Sequence, residues 1–241
     1  MNLRSSNLKI IIGIAYLAII LTGLFFLLSI VDIRDLMSYE FIRSNKDTIL
    51  DYRRDNFLVL TVMFYIFSII WVLLLGFAMP LLIFAGFVFG KWWGILIVLT
   101  STTIGAVLLY LLVGLFFRDI IEKKFAPKFS KLRTFFKRND ITYFMFFRFV
   151  GGGGTPYAIQ NVLPILFNMP IKNYFIATFM GSMPSMFVTV SFGSGIENVI
   201  DKNADPNIWN IIKSPEIYLP IIGFGVLLII AFFIKRFFFK T

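Results

Sequence analysis

The chain has 241 residues, of which 59% are hydrophobic, a formal net charge of +10, and neither cysteine nor histidine. A mean hydropathy of +0.86 is too high for a soluble domain of this length, and apolar stretches of about 20 residues, enough for a helix to cross a bilayer, recur along it. The missing residue types exclude disulfides, the common zinc, haem and iron–sulfur sites, and histidine-dependent nucleophiles. We therefore expect an all-α integral membrane protein without metal or cofactor, whose positive charge meets lipid headgroups rather than nucleic acid.

Residues 1–56 form the first predicted unit. The apolar span at 10–31 is longer than the core of a signal peptide and is followed by charged residues rather than a cleavage site, so we expect it to be retained as a membrane helix. The polar connection at 32–56 carries apolar residues at roughly helical spacing, which predicts an amphipathic helix lying at the membrane interface.

Residues 57–196 form the predicted core, and its first helix break lies within apolar sequence. Pro80 interrupts the second long apolar stretch, and Lys91 beside two tryptophans is typical of an interface anchor. A further span at 94–117 then follows, with small residues suited to close helix contact. The residues expected to shape this broken segment and its packing are Pro80, Gly86, Gly90, Gly94 and Gly105.

The segment 118–140 is the most densely basic part of the chain. Its lysines and arginines are interleaved with phenylalanines at roughly helical spacing, which predicts a basic amphipathic helix on the membrane surface. By the excess of positive charge in cytoplasmic loops, this segment and the basic C-terminus are predicted to be cytoplasmic, and the mostly acidic loop at 193–216 to lie outside.

A second helix break follows Arg148, which lies among phenylalanines and is succeeded by four glycines and a proline. In hydrocarbon, irregular backbone survives only where protein or water satisfies its polar groups. A broken segment that carries arginine therefore predicts a re-entrant loop lining a polar cavity. The residues predicted to bind substrate there are Arg148, Gly151, Gly152, Gly153, Gly154, Thr155, Pro156, Tyr157, Gln160 and Asn161.

Each member of this set also has a structural interpretation. The fork of Arg148 suits phosphate or carboxylate, but an arginine near the interface also snorkels to headgroups. The glycine amides would form an anion nest, aided by a helix N-terminus near Pro156, or the glycines serve as a hinge. Gln160 and Asn161 line the cavity or bond another helix, and Tyr157 binds a headgroup or anchors at the interface.

The rest of the chain completes the predicted fold. A long span at 171–192 ends the core, and 197–241 comprises a polar loop and a last membrane helix at 217–233. Each half of the core thus has a broken apolar segment followed by a long span, a pattern typical of inverted-repeat transporters. We predict a polytopic helical bundle with two re-entrant, broken-helix segments in an inverted repeat. The residues expected to be structural in the second half are Pro164, Gly181 and Pro184, with the two prolines expected to break their helices.

Two blocks of residues carry a family resemblance. The first is Gly86-Phe87-Val88-Phe89-Gly90-Lys91-Trp92-Trp93-Gly94, with Gly105 further on. The second joins Phe147-Arg148-Phe149 to Pro156-Tyr157, Asn161, Pro164 and Asn173-Tyr174-Phe175-Ile176-Ala177-Thr178-Phe179-Met180-Gly181-Ser182-Met183-Pro184. In order and spacing, residues 80–196 resemble the DedA-like membrane proteins, which share the VTT or SNARE-associated Golgi protein domain.

The resemblance implies a lipid flippase or scramblase, a class that includes transporters of undecaprenyl phosphate, with paired re-entrant loops that meet at mid-membrane. This chain departs from the pattern in two places. Members usually carry proline shortly after the arginine, where this chain has its glycine run. DedA proteins proper carry acidic residues in the first re-entrant segment, whereas 78–94 contains none, which argues against proton coupling at that position.

We therefore predict a transporter, not an enzyme, that moves lipids or lipid phosphates. Its partners would be anionic or phosphate-bearing membrane lipids, with an undecaprenyl-phosphate-like molecule among the candidates, and a homo-oligomer is compatible with it. Two alternatives stay open: a channel or carrier for a small soluble anion, and a non-transporting membrane-organising protein that docks through 118–140. The expected location is the cell membrane, with a bacterial inner membrane as the first choice and several passes across it.

Overall fold

The computed structural model describes residues 39–125, 139–150, 155–201 and 215–238, together with single residues between 11 and 29 and residues 136 and 213. These residues form helices and turns and no strand. Three helices are long and apolar enough to cross a membrane, at Ser44–Leu73, Ala78–Phe116 and Ile171–Ile196. The predicted all-α membrane protein is thereby confirmed.

Helix α1 (Tyr39–Leu73) is bent at Asn56, whose φ of −130° and ψ of 35° are not helical. The bend falls where the polar connection was predicted to give way to the second apolar stretch. After α1, the backbone turns through Leu75, which has a φ of 59°. The Trp71 indole donates a 2.8 Å hydrogen bond to the carbonyl of Phe77 in this turn, so irregular backbone beside apolar helices is satisfied by the protein itself.

Helix α2 (Ala78–Phe116) folds back on itself at Gly90, where φ is 74° and ψ is 178°. A Cβ added to Gly94 would lie 2.6 Å from the carbonyl oxygen of Ala85. Nine residues of straight helix would separate these positions by about 13 Å along the axis. The pieces before and after Gly90 therefore pack side by side as a helical hairpin. The positive φ favours glycine at the bend.

The following helices are short until the long helix of the second half. Their bounds are Arg118–Phe125 for α3, Asp140–Phe149 for α4, Tyr157–Val162 for α5, Leu163–Phe167 for a 3₁₀ helix, Ile171–Asp201 for α6 and Pro215–Phe238 for α7. Asn139 caps α4 by accepting a 3.0 Å hydrogen bond from the amide of Thr142. Asn168, with a φ of 54°, ends the 3₁₀ helix. The four glycines 151–154 and most of the predicted surface helix beyond residue 125 lie outside the described residues.

The prediction that Pro184 breaks its helix was wrong, because α6 runs through it from Ile171 to Asp201. A proline removes a single backbone hydrogen bond, and membrane helices tolerate that loss when their neighbours re-satisfy the freed groups. Pro164 lies at the start of the 3₁₀ helix, and Pro80 lies in the first turn of α2. The missing N–H costs little at such positions.

The short helix 78–89 crosses α6 at a pair of glycines. A Cβ on Gly86 would collide with the backbone oxygen of Val190, and a Cβ on Gly193 would collide with that of Ile83. Gly105 similarly lets α2 approach α1, since its Cβ would lie 2.9 Å from the Cβ of Val72. Glycines therefore set the closest helix contacts in the part of the chain described here.

The same order of elements occurs in both halves of the core. Among the described residues, each half has a helix, then a short helix, a tight turn containing a positive φ at Gly90 or Asn168, and a long helix. The buried apolar residues form one cluster around the hairpin of α2 and another around α4 and the start of α6. Re-entry into the membrane and inversion of the two halves remain predictions.

Candidate functional site

Arg148 lies in the last turn of α4 and is 2% exposed. Its place against α6 depends on Gly181, where an added Cβ would lie 2.5 Å from the carbonyl oxygen of Met145 and 2.8 Å from the Cβ of Arg148. A larger residue at 181 would push α4 away. The guanidinium is turned into the protein, which does not fit an arginine that snorkels to the interface.

The hydrogen-bond partners of the guanidinium come from two other elements. Nη1 donates to Oε1 of Gln160 at 3.3 Å. Nη2 donates to Oδ1 of Asn161 and, at 3.3 Å, to the hydroxyl of Tyr174. Two of the partners lie on α5 and one lies on α6, so the arginine ties three helices together.

Aromatic rings cover the guanidinium from two further directions. Its central carbon lies 5.1 Å from the ring centre of Phe144 and 5.4 Å from that of Tyr157. Cation–π contacts of this kind contribute about 2 kcal/mol when desolvated. Phe144, one turn before Arg148, is therefore part of a shell for the cation rather than only a surface for lipid.

Every partner that the described residues give Arg148 is neutral. No carboxylate among them forms an ion pair with it, and its Nε is buried without a hydrogen-bond partner. The side-chain nitrogen of Asn161 is likewise buried and unpaired. An isolated charge at bilayer depth is costly, and no described residue compensates the charge of Arg148.

A cavity of about 140 Å³ opens beside Arg148. It lies between the start of α2, the start of α5 and the middle of α6, and has room for several waters or one small polar group. Its lining combines polar side chains with three apolar ones, and comprises Ala78, Leu82, Arg148, Tyr157, Gln160, Ser182, Ser185, Met186 and Thr189.

Tyr174 contacts Arg148 and is itself held in place by its neighbours. It is fully buried, and its ring stacks on that of Tyr110 with centroids 4.8 Å apart. The Tyr110 hydroxyl donates a 2.7 Å bond to the carbonyl of Met169, which holds the turn before α6. Gln160 donates from Nε2 to the carbonyl of Thr155 at 2.7 Å, so the start of α5 is tied to the same network.

The structure brings together four of the predicted substrate-binding residues: Arg148, Tyr157, Gln160 and Asn161. Thr155 contributes its backbone carbonyl, and the side chain of Pro156 is exposed at the start of α5. Gly151, Gly152, Gly153 and Gly154 lie outside the described residues. The predicted anion nest is therefore untested.

Sequence reasoning missed four residues of the site: Tyr174, Ser182, Ser185 and Thr189. The hydroxyls of α6 had a usable signal, because three polar residues at intervals of three and four share one face of an apolar span. Tyr174 had no signal of its own beyond its place in the second resemblance block, since only the tertiary packing brings the start of α6 against Arg148.

Comparison with known proteins identifies the family of this chain. The sequence model of the family described as the VTT domain matches residues 75–195 of this chain. A "Transmembrane protein 41 homolog" of Dictyostelium discoideum is 28% identical over 173 residues, which are 67% of this chain and 49% of that protein. A "Transmembrane protein 41 homolog" of Caenorhabditis elegans is 28% identical over 137 residues, 54% of this chain and 55% of that protein.

The chain thus spans about half the length of the curated relatives it matches. No solved structure matches it. The matched VTT region contains Arg148, the short helices around it and most of α6. The chain belongs to the VTT domain family, as the two blocks of residues predicted.

Proposed function

We propose that this protein moves lipids or lipid phosphates across the bilayer, as a flippase or scramblase, and that Arg148 binds the phosphate of the headgroup. The observation that carries the proposal is a buried guanidinium beside a partly open cavity, whose partners among the described residues are all neutral and whose Nε pairs with none of them. Arginine presents a rigid fork of donors that matches phosphate oxygens. A bound phosphate would supply the missing negative charge.

The size of the cavity supports a headgroup rather than a whole lipid as its content. About 140 Å³ suits a phosphate with its first waters and is too little for an acyl or prenyl chain. The chain of the lipid would stay in the bilayer. An undecaprenyl-phosphate-like substrate is compatible with this division, because its polar end is a phosphate alone.

Translocation in proteoliposomes tests the proposal through Arg148→Gln. Loss of a charge-assisted hydrogen bond amounts to about 1.5–3 kcal/mol, so the rate is expected to fall roughly ten- to hundredfold. Arg148→Lys keeps the charge without the fork, and an intermediate rate is expected. Headgroup-resolved dithionite or enzymatic assays measure the rates.

Arg118→Gln is the matched control, because it also removes one arginine charge, from an exposed i,i+4 pair with Glu122. It is expected to transport like the wild type. A folded Arg148→Gln protein that retains the wild-type rate would refute the role of this arginine.

A channel or carrier for a small soluble anion is the second candidate, and the small volume of the cavity favours it. The same vesicles separate the two candidates: phosphate flux without lipid movement would assign the site to a soluble anion. The membrane-organising role would depend on 118–140, most of which lies outside the described residues. Deletion of that segment tests it.

The protein is a membrane protein, and the kind of membrane in which it lies is part of the proposal. The basic segment 118–140 and the C-terminus are proposed to be cytoplasmic, with anionic lipids as partners and a homo-oligomer as one candidate assembly. The relatives named above are eukaryotic, so they lend no support to the predicted bacterial inner membrane. The proposed activity needs no covalent step, and no enzymatic function is assigned.

A further inference from the structure

Three hydroxyl residues of α6 continue the polar wall that begins at Arg148. Ser182, Ser185 and Thr189 are spaced by three and four residues, which puts them on one face of the helix. All three line the cavity. Ser182 and Thr189 are two turns apart, about 10 Å along the helix axis, so the cavity is elongated along α6.

The hydrogen bonds of these side chains leave acceptor capacity for water. The Ser185 hydroxyl donates to the carbonyl of Ser182 at 3.0 Å, and that of Thr189 donates to the carbonyl of Ser185 at 3.4 Å. Each oxygen therefore keeps lone pairs that no described donor uses. The Ser182 hydroxyl, in a side chain 4% exposed, donates to no described residue.

The opposite side of α6 has a different character. Met180 is 52% exposed, apolar, and points about half a turn away from the hydroxyl face. Helix α6 thus presents an apolar face to lipid and a polar face to the internal cavity. At one end of the polar side lies Arg148, whose charged side chain also lines the cavity.

We propose that Ser182, Ser185 and Thr189 form a hydrated track along α6 through which a phosphate group reaches Arg148. The hydration follows from the polar lining of the cavity, because polar cavities of this size hold water whereas apolar ones stay dry. Only the identity of the ligand rests on the proposed function. The track itself holds whether or not lipid is transported.

The absence of cysteine from the chain makes a direct test available. Ser182→Cys, Ser185→Cys and Thr189→Cys are each reconstituted in lipid vesicles and treated with a charged, membrane-impermeant thiosulfonate. Met180→Cys on the opposite face is the matched control. The thiolate is the reactive form and is disfavoured in lipid. Labelling at all three track positions is therefore expected to be at least about tenfold faster than at the control.

Equal labelling of the track and the Met180→Cys control would overturn the proposal, as would labelling that stops at Thr189→Cys and does not reach Ser182→Cys. Size-exclusion profiles and thermal unfolding of each unlabelled variant show whether it is folded. A dry track together with transport that depends on Arg148 would refute the track alone. A labelled track together with undiminished transport by Arg148→Gln would refute the proposed function alone.

Protection from labelling identifies the source of the phosphate. Ser182→Cys is labelled with added inorganic phosphate and, separately, in vesicles of phosphatidylcholine with and without phosphatidic acid. Slower labelling with phosphatidic acid alone supports a lipid headgroup on the track. Slower labelling with inorganic phosphate as well supports a site for the phosphate group itself. Protection by neither probe overturns the track as a path for phosphate.

Discussion

The hydroxyl of Tyr174 lies within hydrogen-bond distance of groups from three parts of the chain. It accepts from Nη2 of Arg148 at 3.3 Å and lies 3.3 Å from the carbonyl of Asn161 and 3.4 Å from that of Ala106. With one proton, it donates to one carbonyl at a time while its lone pair holds the guanidinium. Tyr174 is therefore a positioning residue for Arg148.

Tyr174→Phe is expected to lower stability by about 1 kcal/mol and to slow translocation, because Nη2 loses one of the contacts that orient it. Tyr110→Phe is the matched control, since it also removes a tyrosine hydroxyl bond, the partly buried one to Met169, but leaves the contacts of Arg148 in place. Thermal unfolding and vesicle transport are compared for both. A fall in transport that only mirrors stability in the two variants would contradict the positioning role.

Between helices, the closest contact is the crossing of 78–89 with α6, where Gly86 and Gly193 each face a backbone oxygen of the other helix. Gly86→Ala or Gly193→Ala must push the helices apart, and overpacking of this kind costs about 1–3 kcal/mol. Gly225 in α7, which has open space around it, is the control: Gly225→Ala is expected to be neutral or to stabilise by up to about 1 kcal/mol. Melting temperatures in detergent measure both effects, and equal shifts would contradict the crossing.

In the molecule as a whole, the cavity lies where the two buried apolar clusters meet. Tyr157 packs against both clusters and also lines the cavity. Arg148, Gln160 and Ser182 thus occupy a seam between two packed bodies rather than the middle of either. A polar site between the two clusters leaves the apolar packing inside each cluster intact.

How much of the fold and of the site could be predicted from the sequence depends on whether the interactions that form them are local or join distant segments of the chain. The helical spans and the bend at Gly90 followed from local signals, namely apolar length and glycine within apolar sequence. The inward position of Arg148 was one of two interpretations that the sequence left open, the other being an arginine that snorkels to the interface. The shell of Arg148 did not follow from local signals, because Tyr174 reaches it from another helix. The continuity of α6 through Pro184 was also hidden, since neighbouring helices decide whether a proline ends a membrane helix.

The neutral shell of Arg148 has a consequence for thermodynamic linkage. A ligand that binds only the folded protein adds RT ln(1 + [L]/Kd) to its stability, about 2.7 kcal/mol at one hundred times Kd. Because no described residue around Arg148 carries a negative charge, a bound anion would act as a missing structural element. We expect the melting temperature of the wild type to rise with the logarithm of phosphate or lysophosphatidate concentration at constant ionic strength, and that of Arg148→Gln to stay flat. Parallel slopes for the two proteins would place the anion elsewhere.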